Sequence, residues 1–166
     1  MTAQRRLIVM RHAKAGELPG GPDVERALRP RGHRNATAAG KWLAGREVEP
    51  DLVLCSSARR ARQTWQYVSA ELAGEPEVSN DPRLYHAGAE ELLGIFAATQ
   101  PRIRSLMYVG HNPAASDVAE VLTGTPVELP TAAIAIIDLA VDWPGLADGG
   151  AGTGELIVAW RPQPES

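Results

Sequence analysis

The chain is 166 residues long, 44% hydrophobic and 22% charged, with a formal net charge of -3. That length suits one domain, 1–166, with a sizeable core, and the charge argues against a general nucleic-acid binder. The single cysteine, Cys55, excludes an internal disulfide and fits a reducing cytosol. The apolar run between Arg6 and Arg11 is too short for the core of a secretion signal, and no stretch reaches transmembrane length. A cytoplasmic protein without a membrane partner is expected. Charge is unevenly spread: residues 1–64 hold 13 Lys and Arg against 6 Asp and Glu, and residues 65–166 hold 4 against 14. A positive field over the first half would steer anions.

The first element is Leu7-Ile8-Val9-Met10, an apolar run that ends in Arg11-His12 and reads as a buried strand. A Gly- and Pro-rich loop, 16–23, leads to a helix over Pro30–Arg46 with a narrow apolar face of Ala36, Ala39 and Leu43. Arg26, Arg29, Arg34 and Arg46 read as its solvated side. Leu52–Cys55 is a second strand, ending in Ser56-Ser57-Ala58-Arg59-Arg60. Ser57 is the expected N-cap of a helix with the stripe Ala61, Trp65, Val68, Leu72. Asn80-Asp81-Pro82 predicts a turn, and Leu92, Leu93 and Phe96 a third helix. Leu106–Val109 is a third strand, ending in Gly110-His111-Asn112-Pro113. Asn112 is expected to cap the next helix, with Pro113 at its first position and Gly124 after its last turn. Ala132–Leu139 and Leu156–Trp160 read as late strands, joined by a flexible Gly-rich segment, 145–154, and 162–166 as a frayed tail. Trp42 and Trp160 read as packing residues. Strands alternating with helices predict an α/β fold, a three-layer α/β/α sandwich around a mostly parallel central sheet.

Three strands therefore end in His, Arg or a helix start, where open α/β sheets bind ligands. Phosphoryl transfer needs those groups: positive charge and positioning around the phosphoryl oxygens. A neutral His12 can attack phosphorus and form a covalent phosphohistidine, and the adjacent Arg11 cation disfavours its imidazolium. Arg60, in the first turn of its helix, joins a guanidinium to free backbone N–H groups. His111 can donate to a phosphoryl oxygen, and Gly110 permits close approach of backbone to ligand. Arg59 and Arg62 read as surface arginines and Lys14 as a solvated loop lysine. Rival chemistries lack their residues. A cysteine-dependent phosphatase needs an Arg where Ala61 stands, His33 has no companion metal ligands, and there is no Walker loop. A histidine mechanism without cofactor or metal is expected.

These residues resemble the histidine phosphatase superfamily, also called phosphoglycerate mutase-like. Its Arg-His-Gly hallmark is matched by Arg11-His12-Ala13, with Ala in place of Gly. Its Ser-x-x-x-Arg-Ala-x-Gln-Thr element is matched by Ser56 through Thr64, and its second His by His111 in Gly110-His111-Asn112. Asp23, Arg26, Leu28, Arg31 and Gly32 resemble the element before the first long helix. The resemblance implies a phosphoglycerate mutase-like fold in which His12 is the phosphorylated nucleophile. Arg11, Arg60 and His111 would complete the phosphate pocket, with Asn112 and His86 beside it. The SixA-type protein phosphohistidine phosphatases are the branch it is most similar to, being short and carrying a small residue after Arg-His, as in Ala13-Lys14-Ala15.

One departure bears on substrate. His86 stands where many members carry a Glu that protonates an alcohol leaving group, leaving His86, Glu90 and Glu91 as candidate acids. General acid catalysis is worth roughly a hundred- to ten-thousandfold, yet an imidazole leaving from a phosphoramidate can depart already protonated. No long insertion forms a lid, so an open pocket suits a phosphorylated side chain on another protein. The expected activity is a metal-independent phosphatase acting on phosphohistidine in proteins. The alternatives are a small-molecule phosphomonoesterase of the same fold and, because Ala13 replaces Gly, a non-catalytic phosphate-binding module.

Overall fold

The computed structural model describes residues 4–164. Six strands form one sheet: β1 (Arg5–Arg11), β2 (Leu52–Ser56), β3 (Glu77–Asp81), β4 (Ser105–Gly110), β5 (Ile134–Leu139) and β6 (Gly154–Trp160), in the order β3-β2-β4-β1-β5-β6. The first four strands of that order are parallel, and β5 runs antiparallel to both β1 and β6. Helices α1 (Pro30–Gly45) and α2 (Arg59–Ser69) cover one face, and α3 (Ala89–Ala97) and α4 (Ala114–Thr123) the other. This is the expected α/β/α sandwich around a mostly parallel sheet.

Its layering follows from β1. Successive side chains on a strand point to opposite faces. Leu7 and Val9 enter the core under α3 and α4, whereas Ile8 and Met10 enter the core under α1 and α2, and all four are at 0% exposure. A strand buried on both sides needs an unbroken apolar run. The register then sets the functional rim, because Arg11 pairs with Gly110 and Cys55 with Val109. The C-terminal ends of β1, β4 and β2 therefore lie side by side. One glycine serves this rim from below. A Cβ on Gly32, in the first turn of α1, would overlap the carbonyl oxygen of Lys14, so α1 packs directly on the backbone that follows His12.

Several local expectations are corrected. β3 has no apolar signature: its residues are largely exposed, and as an edge strand it is held by main-chain pairing to β2. Asn80 and Asp81 are its last two residues, and the turn begins only at Pro82. Ser57 does not cap α2. The cap position is Ala58, whose N–H is accepted by Ser56 Oγ at 3.2 Å. Pro113, not Asn112, is the cap residue of α4, although Asn112 Oδ1 still accepts the Ser116 N–H at 3.2 Å. Of the tail expected over 162–166, residues 165 and 166 lie outside the described residues.

The segment expected to be flexible, 145–154, is anchored. It overlaps a 3-10 turn, Trp143–Asp148, in which Trp143 and Leu146 are fully buried, and Trp143 Nε1 donates to the Ile103 carbonyl at 2.7 Å. Gly152 N–H donates to Val121 O on α4. Glycine richness reflects turn geometry here, with Gly149, Gly150 and Gly152 all at positive φ. Replacing Trp143 by Ala is expected to lower unfolding free energy by about 3–5 kcal/mol, read from the urea midpoint. A change within about 0.5 kcal/mol would mean that the segment is loosely attached after all.

Candidate active site

His12 leaves β1 into a loop tied down on three sides. Its N–H donates to Gly110 O at 2.9 Å, and its carbonyl accepts the Ala132 N–H at 3.0 Å. Ala132 holds a left-handed φ of 66°, a conformation that is costly for a residue with a Cβ and so must be held by its surroundings. The third tie comes from α2: Thr64 Oγ1 accepts the Ala13 N–H at 2.9 Å and donates to Arg60 O at 2.7 Å. Gln63 Oε1 likewise accepts the Leu28 N–H at 2.8 Å. The Gln-Thr end of the α2 motif is thus a pair of struts.

The imidazole of His12 is 8% exposed. Its Nδ1 lies 2.7 Å from Ala13 O. A carbonyl can only accept, so Nδ1 carries the proton and Nε2 presents a bare lone pair. The pKa is lowered from 6.5 to about 3, first by burial and then by the charges of His111, Arg60 and Arg11. The neighbouring Arg11 was expected to keep this ring neutral. Burial does most of that, and of the two neighbouring guanidiniums Arg11 contributes less than Arg60.

His111 stands at the end of β4, its ring centroid 5.2 Å from that of His12. The β2–β4 pairing sets Ser56 beside it, with Ser56 Oγ 2.8 Å from Nε2. Ser56 Oγ also accepts the Ala58 N–H at 3.2 Å. Nδ1 is buried and has no partner. Burial, then Arg60, lowers the His111 pKa to about 4. Gly110 is required by a neighbour within the protein. A Cβ there would overlap the hydroxyl of Tyr108, which is buried in the sheet and accepts the His111 N–H at 3.3 Å.

Arg11, Lys14, Arg60, His111 and Asn112 join His12 around one cavity of about 360 Å³, together with Ala15, Arg26, Tyr85 and Thr131. Arg60 is 6% exposed; its Nη1 donates to Asp23 O at 2.9 Å and its Nη2 to Asp23 Oδ2 at 3.0 Å, while its Nε is buried without a partner. The Arg11 Nε is in the same condition. Asp23 also accepts from Arg26 Nε at 2.8 Å and from the Tyr85 hydroxyl. The Tyr85 and Arg60 bonds hold its carboxyl well below the usual range, and the same bond raises the Tyr85 pKa.

Asn112 spends its amide on structure, Nδ2 donating to Leu129 O at 2.8 Å. His86 does not line the cavity; it is exposed and stacked on Tyr85 with centroids 4.4 Å apart. Glu90 and Glu91 are exposed at the start of α3, where Glu91 accepts the Gly88 N–H. Two readings of basic residues change. Arg26 faces the cavity rather than standing on a solvated helix side, and Lys14, though exposed, lines it too. Sequence reasoning missed Tyr85 and Thr131 as cavity residues and gave Asp23 no role. Only the Asp23-x-x-Arg26 spacing offered a signal, as an i,i+3 ion pair.

The profile of the histidine phosphatase superfamily (branch 1) matches residues 7–112. The chain belongs to the histidine phosphatase superfamily. An uncharacterised protein of Mycobacterium leprae is 34% identical over 148 residues, covering 81% of this chain and 89% of that one. Phosphohistidine phosphatase SixA of Escherichia coli K12 is 31% identical over 137 residues, covering 80% and 84%. The structure of a candidate phosphohistidine phosphatase SixA from Nakamurella multipartitia superimposes with a TM-score of 0.85 at 30% identity, covering 97% of this chain and 98% of that one. The fold is thus the phosphoglycerate mutase-like fold of SixA proteins.

Because both histidines titrate below 6.5 in the native protein, the unfolded chain takes up protons that the native protein refuses. Their contribution to stability is full above about pH 6.5 and is lost as pH falls towards 4 and then 3. His12→Gln is expected to flatten the pH dependence of the urea midpoint across that window, and imidazole ¹⁵N spectra of the native protein to show His12 as the Nδ1-protonated neutral tautomer at about pH 5. Protonation of His12 with a midpoint near 6.5 would contradict the geometry.

Proposed function

We propose that this member of the superfamily is a phosphatase that hydrolyses phosphohistidine on proteins through a phosphoenzyme on His12. One observation carries the reading. The bare Nε2 belongs to a buried, neutral His12 that lines one cavity with Arg11, Arg60 and His111. A phosphoryl group supplies the negative charge and acceptor oxygens that suit two guanidiniums and two imidazoles around one cavity. SixA proteins among its relatives support the same substrate class.

In the first step His12 Nε2 attacks phosphorus in line. The Nε2–P bond forms as the substrate P–N bond breaks, and that electron pair passes to the departing ring. The ring, already protonated on its other nitrogen, leaves as neutral imidazole. The two guanidiniums and His111 stabilise the charge on the equatorial oxygens. Water then attacks phosphorus; the new O–P bond replaces the Nε2–P bond, whose pair returns to Nε2, and a water proton passes to solvent. Within the described residues no carboxyl lines the cavity to act as a leaving-group acid, which favours a P–N substrate over an alkyl ester. The proposed substrate is borne on another protein, the proposed unit is the whole chain as one domain, and the proposed compartment is the cytoplasm. The single cysteine, Cys55, a buried free thiol, supports the compartment because it makes no internal disulfide. Among the described residues no helix is long and apolar enough to cross a membrane.

Turnover of a phosphohistidine protein or phosphoramidate is expected to exceed that of alkyl phosphate esters, and the reverse preference would overturn the substrate assignment in favour of a phosphomonoesterase. His12→Ala should lower turnover by roughly a thousandfold or more and abolish an acid-labile, labelled phosphoenzyme. Phosphate binding without any turnover in the wild type would identify a binding module instead.

A further inference from the structure

Four rings run from the nucleophile outward. His12 and His111 are 5.2 Å apart by centroid, His111 and Tyr85 5.6 Å, and Tyr85 and His86 4.4 Å. The last pair is a face-to-face stack with an interplanar angle of 8°, and His86 is exposed at the end of the row. Tyr85 lines the cavity, with Arg60 Cζ 5.8 Å from its ring centroid. Its orientation is fixed at both ends, by the hydroxyl bond to Asp23 and by the His86 stack. Asp23 in turn holds both Arg60 and Arg26, so the ring and the phosphate clamp are set by one carboxylate.

In-line displacement puts the leaving group on the side of phosphorus away from His12 Nε2. Apart from the two imidazoles, Tyr85 is the aromatic residue of the cavity, its ring centroid 5.6 Å from that of His111. Lys14 and Arg26, which also line the cavity, are cationic and suit phosphoryl oxygens.

We propose that Tyr85, held in place by His86, is the leaving-group wall of this site and selects substrates whose leaving group is a planar ring. This rests on the phosphohistidine reading for the identity of the ring, an imidazole, but not for the preference itself. Tyr85 is a specificity-determining residue; His86 acts through it as a positioning residue. One aromatic pair is worth about 2- to 12-fold in affinity or rate.

The test uses the full chain and two P–N substrates, N-phosphoimidazole and phosphoramidate, which share the broken bond type and differ in the ring. Tyr85→Leu is expected to lower kcat/KM for N-phosphoimidazole about 2- to 12-fold more than for phosphoramidate. His86→Ala should show the same bias more weakly. Tyr85→Phe loses the Asp23 bond but keeps the ring, and should retain the ring preference of the wild type. Equal losses for both substrates in Tyr85→Leu, or loss of the preference in Tyr85→Phe, overturn the proposal and leave Tyr85 as an anchor for Asp23. Should the wild type turn over neither P–N compound, the phosphohistidine reading fails, and phenyl phosphate against methyl phosphate decides the wall by itself. A ring preference that Tyr85→Leu removes supports it, and no preference overturns it.

Discussion

The site depends on one pairing, that of β1 with β4 in parallel register. Arg11 opposite Gly110 puts the His12 N–H on the Gly110 carbonyl, and the two histidines that follow the paired positions come within 5.2 Å. Parallel strands in one sheet end on the same rim, so chemistry placed after each of them converges without any local sequence signal. β2, on the other side of β4, delivers Ser56 to His111 and starts the helix that carries Arg60. A slip of one residue would send every side chain of β1 to the wrong layer, and both cores, each tightly apolar, resist it.

Burial is what makes the two imidazoles useful. The same low-dielectric surroundings that push His12 to about 3 and His111 to about 4 strengthen the field of the guanidiniums beside them. Asp23 offsets part of that charge through its bonds to Arg60 and Arg26. It takes Arg60 by its two terminal nitrogens, which anchors a nearly buried arginine that still lines the cavity. Thr64 completes the frame by joining the backbone after His12 to the carbonyl of Arg60, so the nucleophile and its clamp share one buried hydroxyl.

Motif residues thus divide by physical duty. In the stretch Ser56 to Thr64, Arg60 reaches the cavity, while Ser56, Gln63 and Thr64 satisfy buried or half-buried polar groups around it. Gly32 and Gly110 are required by close neighbours within the protein, the Lys14 carbonyl and the Tyr108 hydroxyl. A motif reads as catalytic, yet most of it is scaffolding that holds few reactive atoms within hydrogen-bond error.

The amino-acid sequence by itself determined the buried strands, the main helices and the residue types at three strand ends, because apolar runs, periodicity and helix starts are local and leave local signatures. His12, Arg11, Arg60 and His111 were legible for that reason. Only the tertiary structure decided that β3 pairs at the edge, that 145–154 is anchored by Trp143, that Arg26 lines the cavity with Asp23 bonded to it, and that Tyr85 stands beside His111. Those outcomes come from contacts between residues tens of positions apart, where main-chain pairing, a buried indole and shared carboxylate bonds set the energy and periodicity carries no trace of them.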